Sequence, residues 1–173
     1  MKKKTAFTII EVLMALVILA MLTTAAALAF DASVKNYQTN QGIYQTVNTA
    51  RAALLRITND IRTANAVALI ADEPATQVSL VTRDGKNITY RFNADDSTLY
   101  YDDNSTGQSY ALCGHVAAMT FSRTECQVER DNGAGGMTTF TGIRDVRIVM
   151  TVTDDAGKVS KTLAAAALVR RNL

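Results

Sequence analysis

Twenty-four consecutive residues, Phe7 to Phe30, carry a single charge, Glu11. At 1.5 Å per residue such a run forms a helix of about 36 Å, enough to cross a hydrocarbon core of about 30 Å. A carboxylate inside a spanning segment costs about 2.5–3.5 kcal/mol on insertion scales, so it is retained only where it does something. Lys2, Lys3 and Lys4 flank the run on one side, and no further basic residue follows until Lys35. The positive-inside rule therefore places the N-terminus in the cytoplasm and the remainder outside.

The order of residues around this charge is specific. Three lysines and Thr5 lead to Ala6, and Phe7, Thr8, Ile9, Ile10, Glu11, Val12 and Leu13 follow. This resembles the N-terminus of prepilins in the type IV pilin and type II secretion pseudopilin superfamily. There the leader ends at a small residue, Phe opens the mature chain and Glu is its fifth residue. Ala6 stands where the family usually has Gly, a change its peptidase accepts in some members. The resemblance implies cleavage after Ala6 by a prepilin peptidase, N-methylation of Phe7, and docking of Glu11 on the Phe7 amine of a neighbouring subunit. It also implies other pilins or pseudopilins and an inner-membrane assembly platform as partners. The location it implies is the bacterial inner membrane, with a periplasmic globular domain that enters a filament.

Two other readings of the start are open. Ala27, Leu28 and Ala29 before Phe30 could be the cleavage site of a secretory signal peptide, but Glu11 is misplaced in its apolar core. A plain single-span anchor is the other, and it has no use for Glu11. No Cys lies near the start, which excludes a lipoprotein.

The formal net charge of +2 depends on the leader. Three of the 18 basic residues lie in Met1–Ala6, and without them 15 face 16 acidic residues, a formal −1. This balance gives no bias toward nucleic acid. Two cysteines, Cys113 and Cys126, lie in the expected exported region. An oxidising compartment favours a disulfide between them, and two reduced, buried thiols are the alternative.

Beyond Phe30 the apolar residues Val34, Tyr37, Tyr44, Val47, Ala50, Leu54, Ile57, Ile61 and Ala64 recur at mostly three- and four-residue steps. That is one face of an amphipathic helix. The only proline, Pro74, lies past it. Gly42 is the weak point, either a bend or a tolerated solvent-side residue.

From Thr76 the period falls to two. Strands are expected at 77–82, 87–93, 98–102, 110–113, 116–122, 143–153 and 158–170, with a hairpin at Arg83–Lys86 and a flexible loop at Glu129–Thr138. The fold class is α+β: a long N-terminal helix, transmembrane in its first half and amphipathic in its second, packed on an antiparallel sheet. The division is a leader at 1–6, a transmembrane and assembly helix at 7–30, an amphipathic helix at 31–70, and a β region of the same domain at 71–173.

Chemistry is sparsely marked. His115 is the only histidine and reads as an incidental loop residue. Asp102, Asp103, Asn104 and Ser105 could offer calcium hard oxygens, but their spacing is not that of an EF-hand and such residues ordinarily build turns. Gly133 to Gly136 lacks the context of a phosphate loop. The tyrosines suit cross-strand pairs better than a ligand platform.

Arg51, Leu54, Leu55, Arg56, Asp60, Ile61, Arg62 and Ala64 resemble, more loosely, wording found in J-type minor pseudopilins and related minor type IV pilins. The expected function is that of a minor pilin or pseudopilin, a structural subunit with no cofactor and no catalytic site. The competing class is a membrane-anchored extracytoplasmic binding module outside any filament.

Overall fold

The computed structural model describes residues 8–131, 136–154, 157 and 159–169. Helix α1 covers Ile9–Thr63, and the chain divides into two compact units, Met1–Gln41 and Gly42–Leu173.

In the first unit every described side chain is exposed, including the large apolar ones from Ile9 to Phe30. The polar residues of this unit bond within the helix. Thr23 and Thr24 donate to the Ala20 carbonyl at 3.0 and 2.8 Å, and Lys35 pairs with Asp31 at 2.7 Å. Val34 and Tyr37, expected on a buried stripe, are exposed.

The described residues of the second unit form eight strands in two antiparallel sheets, rather than the single sheet expected. The first runs in chain order through β1 (Ala66–Val67), β2 (Gln77–Val81), β3 (Asn87–Asn93), β4 (Thr98–Asp103) and β5 (Gln108–Cys113). A 3-10 turn at Ile70–Asp72 separates β1 from β2. The second comprises β6 (Val116–Asp131), β7 (Met137–Thr153) and β8 (Ser160–Leu168). The hairpin at Arg83–Lys86 forms as expected, with Gly85 at φ 81°, a conformation that glycine enters without a Cβ penalty.

The expected loop at Glu129–Thr138 is shorter than its composition suggests. The β6–β7 ladder continues through Arg130 opposite Thr138 to Asp131 opposite Met137. Residues 132–135 of that segment lie outside the described residues, as do Lys158 and Arg170 at the ends of the expected last strand.

The helix covers the strands with a stripe spaced four and three: Ile43, Val47, Ala50, Leu54, Ile57, Ile61 and Ala64. Ile43 takes the place expected for Tyr44, which is exposed. From Ala50 to Ala64 the stripe belongs to one core cluster with Val78, Leu80, Ile88 and Leu99 of the first sheet and Val146, Ile148, Met150 and Val152 of the second, and Val47 packs half-buried against it. The last four alternate along β7, as a half-buried strand requires. A Cβ on Gly42 would meet open space, which fits a solvent-side residue.

A polar clasp reinforces the helix. Tyr90, fully buried on β3, donates its hydroxyl to Asp60, and the Arg56 guanidinium lies 4.4 Å over the Tyr101 ring. Tyr90, Tyr101 and Tyr110 sit directly opposite one another across β3, β4 and β5, with ring centroids 5.6 and 6.1 Å apart. Burial, and then the hydrogen bond to Asp60, push the Tyr90 phenol far above its ordinary range.

The two sheets are joined by backbone bonds and by a buried ion pair. Val116 N donates to Ser97 O at 2.8 Å, and Phe121 N to Ala75 O at 2.7 Å. Arg123 on β6 is buried and pairs with Glu73 at 3.2 Å. It also donates to the carbonyls of Leu69, at 2.8 Å, and of Gln77. Glu73 in turn accepts the Ser79 N–H at 2.9 Å.

Two stability outcomes follow, both to be read by denaturant unfolding of a fragment beginning at Asp31. Arg123→Ala leaves Glu73 buried without its cation and should cost about 3–5 kcal/mol. Tyr90→Phe should cost about 1.5–3 kcal/mol at pH 7, the worth of a hydrogen bond to a charged acceptor. The unfolded phenol ionises near pH 10 while the folded one resists, so the stability Tyr90 contributes is whole below about pH 10 and falls above it. That part of the alkaline loss should be missing in Tyr90→Phe.

Candidate functional site

The residues marked by the sequence fall at the start of α1. Ala6 and Phe7 lie outside the described residues. Glu11 sits in the first turn of the helix and is exposed. Its carboxylate accepts the Thr8 N–H at 2.9 Å and the Thr8 hydroxyl at 3.0 Å, while Glu11 N donates to Thr8 Oγ1 at 3.3 Å. This is a capping box, in which the residue before the helix and the third residue within it satisfy each other's free donors. Its signature, Thr followed three positions later by Glu before an apolar run, is legible in the sequence, where Glu11 is otherwise weighed only as a charge. A carboxylate at this end also opposes the positive end of the helix dipole. Glu11 thus holds its own chain's helix start while presenting its charge at the surface.

From this turn to Phe30 the helix has an apolar surface on all sides, and it is long and apolar enough to cross a membrane. Ala20, Thr24 and Ala25 make a shallow depression bordered by Val17, Met21 and Leu28. Small residues of this kind allow helix axes to approach closely in an apolar medium.

Residues 1–27 match the family described as Prokaryotic N-terminal methylation motif. The N-terminus is of the prepilin type. The match spans Ala6, Phe7 and Glu11 together. A prepilin-type start leading into a long helix, followed by an α+β domain, supports the type IV pilin and pseudopilin superfamily. A prepilin motif implies processing by a prepilin peptidase and assembly with other pilins. No curated protein and no solved structure matches the chain.

The remaining candidates resolve into structural roles. Asp102 pairs with Arg91 at 2.9 Å and accepts from Ser109. Asp103 closes the following turn by accepting Ser105 N at 2.9 Å. Asp96 accepts the Tyr100 hydroxyl at 2.6 Å, which holds its carboxyl below the usual range. Among the described residues no three metal-ligating side chains cluster. His115 sits in a left-handed turn at φ 57° between β5 and β6, its carbonyl accepting Thr153 N at 2.9 Å. With Cys113, Gly114, Gln45 and Thr46 it lines an open polar cleft of about 210 Å³.

The structure does not bring together the two cysteines of the expected disulfide, Cys113 at the end of β5 and Cys126 within β6. The segment between them is not the compact loop that pairing needs. Val116 and Cys126 are ten positions apart in the single strand β6, a rise of about 33 Å, whereas bridged Cα atoms lie within about 7 Å. Closing the bridge would dismantle most of the second sheet. Both cysteines should therefore be fully alkylated after unfolding without reductant, as mass spectrometry would read. In the folded protein Cys113 should react more slowly than Cys126, because burial both shields its thiol and pushes its pKa up.

Proposed function

We propose that this chain is a minor pilin or pseudopilin, a non-catalytic subunit of a type IV pilus-like filament in protein secretion or pilus biogenesis. The observation that carries the reading is the prepilin motif running directly into a helix whose apolar side chains are exposed from Ile9 to Phe30. The looser likeness of the Arg51–Ala64 segment favours a J-type minor subunit. In the inner membrane, lipid covers the apolar surface. In a filament, neighbouring helices take the place of lipid, so extraction exposes little of it to water.

Glu11 has a double role in this reading. While the subunit rests in the bilayer, the Thr8 hydroxyl and N–H partly offset the cost of its charge. On docking, the Phe7 amine of a neighbour supplies the opposite charge in a low-dielectric bundle. A buried pair of this kind serves register better than stability, because a misplaced subunit leaves the charge unpaired.

Mature protein isolated from membranes should begin at a methylated Phe7, by N-terminal sequencing and intact mass. A start at Met1 or Phe30 would sink the assignment. Replacing Ala6 by a bulky residue should block cleavage and leave insertion intact.

Glu11→Val should give a subunit that is processed, folded and membrane-bound but unassembled, because a charge costing about 2.5–3.5 kcal/mol in the bilayer is gone together with its docking role. Thr8→Val separates docking from capping: it removes the hydroxyl that completes the cap, at about 0.5–2 kcal/mol, but keeps the carboxylate. It should still co-purify with partner pilins. Normal assembly of Glu11→Val would remove the docking role and favour a tip position, where a neighbour is missing on one side, before the anchored binding module.

A further inference from the structure

We propose that the cleft between α1 and the outer edge of β8 binds an extended segment of another polypeptide, apolar at its centre and carrying two carboxylates. β8 is nine residues long and, among the described strands, is paired only on its β7 side. Its register with β7 runs without a shift from Ser160 to Leu168. Natural sheets blunt such edges with charges, prolines or bulges, and the Thr162–Leu168 stretch has none of these. Four successive alanines, Ala164 to Ala167, leave room for a second backbone at the usual strand spacing of about 4.8 Å.

The helix supplies the opposite wall. Arg51, Leu55, Thr58 and Arg62 are spaced four, three and four, so they share one helix face, distinct from the buried stripe. Leu55 is 71% exposed, although it stands beside the core residue Leu54. Leu54, Leu55 and Thr58 enclose an apolar cleft of about 320 Å³ with Leu163, Ala164 and Ala165. Farther along the same edge, Arg62 and Ala166 to Leu168 border a second cleft of about 520 Å³. Leu168 there is 58% exposed. A sheet edge beside a helix groove is the arrangement in which an added strand gains main-chain hydrogen bonds from the edge and side-chain specificity from the groove.

Charge chooses the occupant. Arg51 and Arg62 have no ion-pair partner among the described residues, whereas Asp145, the one acidic residue lining the clefts, is already held by Arg144 at 3.1 Å and Thr124 at 3.0 Å. The two arginines are eleven positions apart on the helix, about 16 Å. An extended strand covers that distance in about five residues, so carboxylates four residues apart on one strand face reach both. A second copy of β8 does not fit this pattern, since Ser160–Leu168 contains no acidic residue.

The test uses the full chain in detergent micelles and a labelled synthetic peptide of sequence Thr-Glu-Thr-Val-Thr-Glu-Thr, with both ends blocked. Fluorescence anisotropy should show saturable binding, weakened about ten-fold when both peptide glutamates become glutamine, which corresponds to about 1.4 kcal/mol. Hydrogen exchange of the 160–168 segment should slow in the complex. The protein variants Leu55→Asp and Arg51→Glu with Arg62→Glu alter exposed side chains, so circular dichroism should be unchanged while binding is lost. Absent saturation, equal binding of the glutamine peptide, full binding by Leu55→Asp, or unchanged exchange at 160–168 would each overturn the proposal. So would peptide-indifferent dimers that dissociate on Leu55→Asp, because the occupant would then be a second copy.

Discussion

The globular unit depends on a stripe of seven residues along the second half of α1 and just past its end, from Ile43 to Ala64 at alternating steps of four and three. Neither sheet can close a core by itself, because each has an apolar face that needs a cover. The stripe provides one cover for both, and Ile57 and Ile61 within it are fully buried. Both belong to the core cluster that holds residues of the two sheets, and truncating a core isoleucine to alanine costs about 2–5 kcal/mol. The small residues Ala50 and Ala53 let the helix approach the strands closely, while the Asp60–Tyr90 bond and the Arg56–Tyr101 stack resist rotation about the helix axis.

The second constraint is the junction between the sheets. Arg123 brings a full charge into the interior, which is tolerated only because Glu73 and backbone carbonyls surround it. Such a cluster is costly in any other arrangement, so it selects one relative placement of β6 and the segment leading to β2. Hydrophobic burial alone is less selective, since apolar faces slide with little penalty.

The first half of the helix works under different rules. Its surface from Ile9 to Phe30 is stable in lipid or against other helices and unstable in water. The same residues can therefore serve a membrane-resident and an assembled state, and the prepilin-type start supplies the chemistry of processing. Glu11 is the point where the two states differ, since its capping partner is local and its proposed docking partner is another chain. The Leu55 and β8 surface lies in the second unit, and it offers a route to recognition that is independent of the helix bundle.

The sequence by itself determined the local features, because they rest on short-range periodicity and covalent neighbours. These include the apolar span, the prepilin motif, the amphipathic continuation, the Arg83–Lys86 hairpin and the alternation of Val146, Ile148, Met150 and Val152. Periodicity does not separate Tyr44 from Ile43, because adjacent residues differ by only about 100° on a helix wheel and both are apolar. Only the tertiary structure decided that the strands split into two sheets, that strand pairing runs into both ends of the Glu129–Thr138 stretch, and that Cys113 and Cys126 are held apart by an extended β6. It alone paired Arg123 with Glu73, fifty positions away, and left Leu55 facing an unpaired strand edge. These outcomes depend on which distant surfaces meet, and no local pattern encodes a partner that far along the chain.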